Sequence, residues 1–218
     1  MTKLAVLISG SGSNLQSIIN SIESGYLKDT YIAVVITNNT EAYGIERARK
    51  HMIPVEYVNF KSFNTREEYD GSVVELLRAY HADLVVLAGY MKVVTGVLLD
   101  AYKNRVINIH PALLPCFPGL HVQQQAIDHG AKFSGCTVHF VDEGVDTGPI
   151  IAQAVVPIFD DDTEETLSKR ILKEEHKIYP LAIKLYTEKR LRLDGRRVLI
   201  EPPLNKEEAA IINPPLNF

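Results

Sequence analysis

In the stretch "INIHPALLPCFPGLH" (residues 107–121) an amide and an imidazole, Asn108 and His110, take alternate positions at the end of a β-branched run, and prolines follow at once. Alternate residues of a strand project from the same face, so Asn108 and His110 share one side and Ile107 and Ile109 the other. Such a pair suits a reaction in which a carbonyl oxygen turns negative. The amide donates to the developing oxyanion, and the imidazole donates beside it or carries the proton. A third group is needed to set the charge and orientation of the histidine. The stretch "DEGVDTGPI" (142–150) supplies Asp142, Glu143 and Asp146 in a glycine-rich loop. A carboxylate there would favour the imidazolium and help relay protons from an attacking amine. By residue type alone, a satisfied strand end and a hairpin turn remain the alternative.

A second stretch, "SGSGSN" (9–14), separates an apolar run from a helical pattern. Backbone N–H groups and a helix N-terminus converge on anions at such a junction. The dinucleotide fingerprint fails, because Leu15 stands where the third glycine belongs, and no Gly-Lys-Ser/Thr of an ATP loop occurs. A lysine-free loop of small and hydroxyl residues suits a single phosphate monoester. The alternative is a tight turn with Ser13 or Asn14 as helix cap and no ligand.

These groups need a scaffold. Runs 4–8, 31–37, 55–58, 84–88 and 105–109 are short and β-branched, with helical patterns at 14–24, 41–50, 65–80 and about 95–102 between them. Apolar strands alternating with helices indicate an α/β, Rossmann-like, mainly parallel sheet flanked by helices. Runs 137–141 and 149–158 are expected as an antiparallel extension at one edge. A parallel strand is normally apolar on both faces, so Asn108 and His110 should face a crevice at the C-terminal end of the sheet, where open α/β sheets hold ligands. A helix is expected after Asp162, running to about His176, with a second helical segment around Pro180. The end of the chain, "LNKEEAAIINPPLNF", reads as a surface-laid tail.

Composition narrows the class. The chain has 218 residues, 46% hydrophobic and 23% charged, with formal net charge -4. That balance fits a core-forming protein and gives no basic face for nucleic acid. Cys116 and Cys136 form no CxxC, and the histidines have no HxH or HExxH spacing, so neither a disulfide scaffold nor a metal is expected. Cys116 has no activating partner in the sequence. His51, His81 and His129 read as helix-end or connecting residues, His139 as a strand residue with a supporting role open to it, and His121 as a possible cleft-lining residue. Without a signal peptide or a membrane-length apolar run, the expected location is the cytoplasm and no membrane partner is expected.

Five stretches in order, "LISGSGSNLQ", "LAGYMKV", "INIHPALLPCFPGLH", "TVHFVDEGVDTGPII" and "EEHKIYP", resemble the glycinamide ribonucleotide formyltransferases, which are folate-dependent enzymes of purine biosynthesis. The resemblance covers about residues 3–190. It implies one formyltransferase domain, 1–190, with a nucleotide-phosphate half (about 1–104) and a catalytic and folate half (about 105–190), then an extension, 191–218. It further implies transfer of a formyl group from 10-formyltetrahydrofolate to the glycinamide amine. The catalytic trio would be Asn108, His110 and Asp146. Gly12, Ser13 and Asn14 would hold the phosphate and Glu175 the ribose or amine region. Folate would meet Arg66, Met91, Lys92, Val93, Val94 and Asn108, and the loop residues Asp142, Glu143, Gly144, Val145 and Asp146. Both substrates are small molecules, and a monomer or homodimer is expected.

Two positions depart from the pattern. Lys92 stands where some relatives carry arginine, so a bidentate fork is lost. Leu172 stands where relatives can carry a polar phosphate neighbour, leaving Lys173 as a substitute or nothing. The nearest rival is formyltetrahydrofolate hydrolase, which delivers the formyl group to water. Its usual N-terminal regulatory domain has no counterpart before the first strand here. A nucleotide-binding protein or dinucleotide oxidoreductase is the rival from another class, disfavoured by the missing third glycine.

Overall fold

A strand that is apolar at every position has to be covered on both faces. In the computed structural model, which describes residues 1–203, β1 (Thr2–Ile8) meets that demand with Leu4 to Ile8 all fully buried. The remaining strands of its sheet are β2 (Thr30–Thr37), β3 (Val55–Tyr57), β4 (Leu84–Leu87), β5 (Val106–His110), β6 (Phe133–Phe140) and β7 (Ile150–Pro157). They run in the order β3-β2-β1-β4-β5-β6-β7. Strands β1 to β5 pair in parallel, while β5–β6 and β6–β7 are antiparallel. The chain order reverses between β1 and β4, the switch point at which open α/β sheets leave a crevice.

Alternate residues feed two cores. Leu4, Val6, Ile8, Val86, Ile107 and Ile109 pack toward α1 (Ser13–Glu23), α2 (Gly44–Lys50), α5 (Val122–Asp128) and α6 (Glu164–Thr187). Ala5, Leu7, Val85, Leu87 and Val106 pack toward α3 (Arg66–Ala79) and α4 (Gly96–Ala101). Asn108 and His110 follow Val106 at alternate positions, so they belong to the second face. Tyr179 of α6 is completely buried and its hydroxyl lies 2.9 Å from the Leu87 carbonyl and 3.1 Å from that of Ile107. It thereby ties α6 to β4 and β5 beneath the crevice.

Several expectations need correction. Residues 164–187 form one helix, not two segments, and Pro180 lies inside it. A proline in a helix interior costs about 3 kcal/mol. Tyr179, Ala182, Ile183 and Leu185 around it are 0–2% exposed, and their burial outweighs that cost. The N-cap is Thr163, in a reciprocal capping box with Thr166. Asp162 takes a fork from Arg170, at 2.6 and 2.8 Å. Likewise α1 is capped by Gly12, with no side-chain cap from Ser13 or Asn14. Beyond the helices, β8 (Leu191–Asp194) and β9 (Arg197–Ile200) form an antiparallel hairpin in a stretch expected only as an extension. The expected tail, 204–218, lies outside the described residues. No helix among the described residues is long and apolar enough to cross a membrane.

Candidate active site

The antiparallel register of β5 and β6 sets Asn108 opposite His139 and His110 opposite Thr137. Directly opposed residues share a face, so His139 becomes the neighbour of Asn108. His139 Nδ1 lies 2.8 Å from the Phe140 carbonyl, which can only accept, so that nitrogen carries the proton. Burial, the dominant influence, lowers the His139 pKa and favours the neutral ring. Its Nε2 then accepts from Asn108 Nδ2 at 3.3 Å. This fixes which way the Asn108 amide points and leaves its second N–H without a partner among the described residues.

His110 lies between two acceptors. Its Nε2 is 2.9 Å from the Phe117 carbonyl, which can only accept, so that nitrogen carries a proton, and its Nδ1 lies 3.3 Å from Asp146 Oδ2. The other Asp146 oxygen is 3.7 Å from His139 Nε2. Asp146 has φ 55°, in the left-handed region that Asp and Asn tolerate best among side-chain-bearing residues, and Oδ2 also accepts from the Gly119 N–H at 3.0 Å. Thus the structure brings Asn108, His110 and Asp146 together, with His139 as a fourth member. One expectation is modified: His110 is only 4% exposed, because the 111–121 and 142–148 loops close over the strand end, and Asn108 is the half-buried member.

Apart from Asn108 on β5, the residues assigned to folate fall in two loops and on α3. Met91 and Val93 are 65% and 52% exposed, and Val145 is 53% exposed, whereas Val94 is buried. Lys92 Nζ lies over the Phe60 ring, 3.9 Å from its centroid. Arg66 is exposed on the first turn of α3. That helix is fastened to the loop after β4 by the Tyr69–Tyr90 hydroxyl pair at 2.6 Å and by Asp70, which accepts from Thr95. Asp142 braces its own loop, accepting from Gly144 N–H and the Thr147 hydroxyl, while Glu143 is exposed. The β8–β9 turn reaches the same loop, since Arg196 donates to the Thr147 carbonyl at 2.7 Å.

On the opposite face, the loop after β1 opens α1. Gly12 has φ 69°, and a Cβ there would fall 2.6 Å from Gly44 Cα, so α2 begins in direct backbone contact with the loop. Ser13 is half-buried in the first turn of α1. Asn14 is buried and donates from Nδ2 to Glu175 Oε2 at 2.7 Å, while its Oδ1 is buried without a partner. Glu175 is 6% exposed, and burial, offset in part by the Asn14 bond, raises its pKa. Leu172 is half-buried and Lys173 exposed on the same helix. The two clusters therefore occupy opposite faces, separated by the C-terminal edge of the sheet at the switch point.

Among the remaining residues, His121 caps α5 with its side chain exposed and 3.5 Å from Glu164. Cys116 is exposed and Cys136 buried, its thiol pushed up to about 12 chiefly by burial. Only the β5–β6 register reveals His139 as a member of the site. Arg196 was missed as well, although the "DG" at 194–195 between alternating runs is a hairpin signal.

An amide, an imidazole and a carboxylate gathered over one strand end, at the ligand-binding rim of an open α/β sheet, define an enzyme of the direct acyl-transfer class. The comparisons make that particular. A sequence model described as Formyl transferase matches residues 2–183, and the chain belongs to that family. The phosphoribosylglycinamide formyltransferase of Haemophilus influenzae is 46% identical over 193 residues, 88% of this chain and 91% of that protein. The trifunctional purine biosynthetic protein adenosine-3 of Drosophila melanogaster is 48% identical over 182 residues, 83% of this chain, which spans only 14% of that longer protein. The crystal structure of glycinamide ribonucleotide transformylase 1 from Symbiobacterium toebii superposes with a TM-score of 0.90 at 52% identity, covering 92% of this chain and 94% of that one.

Proposed function

We propose that the protein transfers the formyl group of 10-formyltetrahydrofolate to the amine of 5-phosphoribosylglycinamide, giving N-formylglycinamide ribonucleotide and tetrahydrofolate. The reaction is a step of de novo purine biosynthesis, carried out in the cytoplasm by a monomer or homodimer without a metal. The observation that carries this reading is the Asn108–His139–Asp146–His110 cluster in a chain so close to relatives of that name.

The amine attacks the formyl carbon as the neutral base and forms a tetrahedral intermediate. The second Asn108 N–H and the His110 Nε2–H stabilise its oxyanion, and a lost donor of this kind costs about 10²–10³-fold in turnover. Asp146 takes the amine proton through a water. Collapse breaks the bond to the folate N10, which takes the proton back from Asp146 through the same water as it leaves. Since Phe117 holds His110 Nε2 in this state, its loop releases that nitrogen as the substrates dock. The phosphate lies at the Gly12–Asn14 turn and Glu175 faces the amine end, so the nucleotide crosses the sheet edge toward His110. Exposed Met91, Val93 and Val145 fit a flat apolar ring better than water, and Arg66 and Lys92 suit the acidic tail of the folate. Holding both substrates in line contributes a further large factor.

The test is incubation with both substrates, following tetrahydrofolate release with and without the nucleotide. Nucleotide-dependent release is expected. Release at the same rate without nucleotide would assign the protein to hydrolysis instead.

A further inference from the structure

A hollow of about 460 Å³ runs along α1 from Ser13 in its first turn to Ser24 at its C-terminal end and is lined by serines with Gln16, Asn20, Arg47 and His176, and by no carboxylate. Arg47, one turn into α2, is the cation of this hollow. Its Nε donates to the Ser11 carbonyl at 2.9 Å and one terminal nitrogen to Gln16 Oε1 at 3.3 Å. The remaining guanidinium N–H groups have no protein acceptor among the described residues, and no carboxylate there pairs with Arg47.

The orientation of Arg47 is set from three sides. The backbone contact of Gly12 with Gly44 seats α2 on the loop, and Gly44 N–H donates to the Gly10 carbonyl at 3.1 Å. Behind it, Glu23 holds His51 Nδ1 at 2.6 Å, and Gln16 Nε2 lies 3.2 Å from His51 Nε2 and 2.9 Å from Asn20 Oδ1. With its NH₂ committed there, Gln16 can present only its oxygen to Arg47. Tyr43 covers the guanidinium, with its ring centroid 5.0 Å from Cζ. His176 also lines the hollow, its Nε2 is buried without a partner among the described residues, and its pKa is lowered by burial first and the charge of Arg47 second. An oriented arginine with spare donors, an unpartnered imidazole nitrogen and no opposing acid make a receptor for an anion. Neither Leu172 nor Lys173 lines it.

We propose that Arg47 is the side-chain cation that binds the phosphate of the amine substrate, so that α2 as well as the α1 turn sets the preference for a phosphorylated amine. The proposal rests on the reaction argued above.

The test compares wild type, Arg47→Gln and Arg47→Lys on the phosphorylated amine and on its dephosphorylated riboside. For Arg47→Gln, KM for the phosphorylated substrate rises roughly 10- to 100-fold, the scale of a charge-assisted contact, and kcat falls far less. The kcat/KM ratio of phosphorylated to dephosphorylated substrate collapses by the same factor, and Arg47→Lys recovers part of it. An equal loss on both substrates would make Arg47 a mere support of the loop and overturn the proposal, as would an unchanged KM. A second measurement does not need turnover: inorganic phosphate raises the unfolding temperature of wild type more than that of Arg47→Gln. Wild type that fails to formylate the phosphorylated amine refutes the reaction, while equal phosphate stabilisation of the two proteins refutes the role of Arg47.

Discussion

Replacing Asp146 by Asn and by Ala separates its charge from its place in the loop. Asn adopts φ 55° nearly as readily as Asp, and its side-chain oxygen can still accept from the Gly119 N–H now at 3.0 Å. Asp146→Asn should therefore stay within about 1 kcal/mol of wild type in urea unfolding. What it loses is the negative charge 3.3 Å from His110 Nδ1, and with it the proton acceptor. Loss of a positioned acid–base group lowers turnover by about 10²–10⁴-fold, read as the initial rate of tetrahydrofolate release. Asp146→Ala should match that loss and be less stable by about 2–4 kcal/mol, since an unsatisfied N–H and left-handed strain are both added. Turnover by Asp146→Asn within threefold of wild type would refute the reasoning, because geometry without charge would then suffice. Equal instability of the two variants would show instead that the carboxylate serves the loop.

Three further outcomes follow from the same geometry. Asn108→Ala should fold normally and lose about 10²–10³-fold in turnover, and near-normal steady-state rates would remove Asn108 from the mechanism. Glu175 has a raised pKa, so its favourable contribution is present below the ordinary carboxylate range and is lost as pH rises through the raised value. Glu175→Gln keeps an acceptor for Asn14 and should be as stable as wild type or more so at pH 7–8, with that advantage disappearing toward pH 4, while KM for the amine rises; thermal scans across this range that slope the other way would contradict it. Asp162 is shifted the other way, well below the usual carboxylate range by the Arg170 fork, so its contribution is present above about pH 4 and fades as pH falls. Asp162→Ala should cost about 2–4 kcal/mol at neutral pH in denaturant titration, with the difference shrinking in acid.

The parallel strands were readable because they are apolar on both faces, and the Asn108–His110 pair because it interrupts that pattern at a strand end. Asp146 could be singled out among three loop carboxylates only through the family resemblance, because nothing in "DEGVDTG" says which side chain folds back. His139 depended on a register between strands whose pairing partners are distant in sequence. Pro180 was misleading for a different reason: local propensity marks a break, whereas burial of its neighbours decides the outcome. The closure of two loops over His110 is a tertiary event with no local signature.

Gly12 and Gly44 meet backbone to backbone, and that contact has a consequence for how glycine-rich turns are interpreted. The smallness of position 12 is demanded from behind, by a second helix that could not approach past a methyl group, before any ligand arrives. Variation at 44 should therefore disturb anion capture as surely as variation at 12, even though position 44 need never touch the substrate. In this protein the glycine at the first turn is a hinge pin between two helices, and the exposed amides beside it are what that joint leaves free.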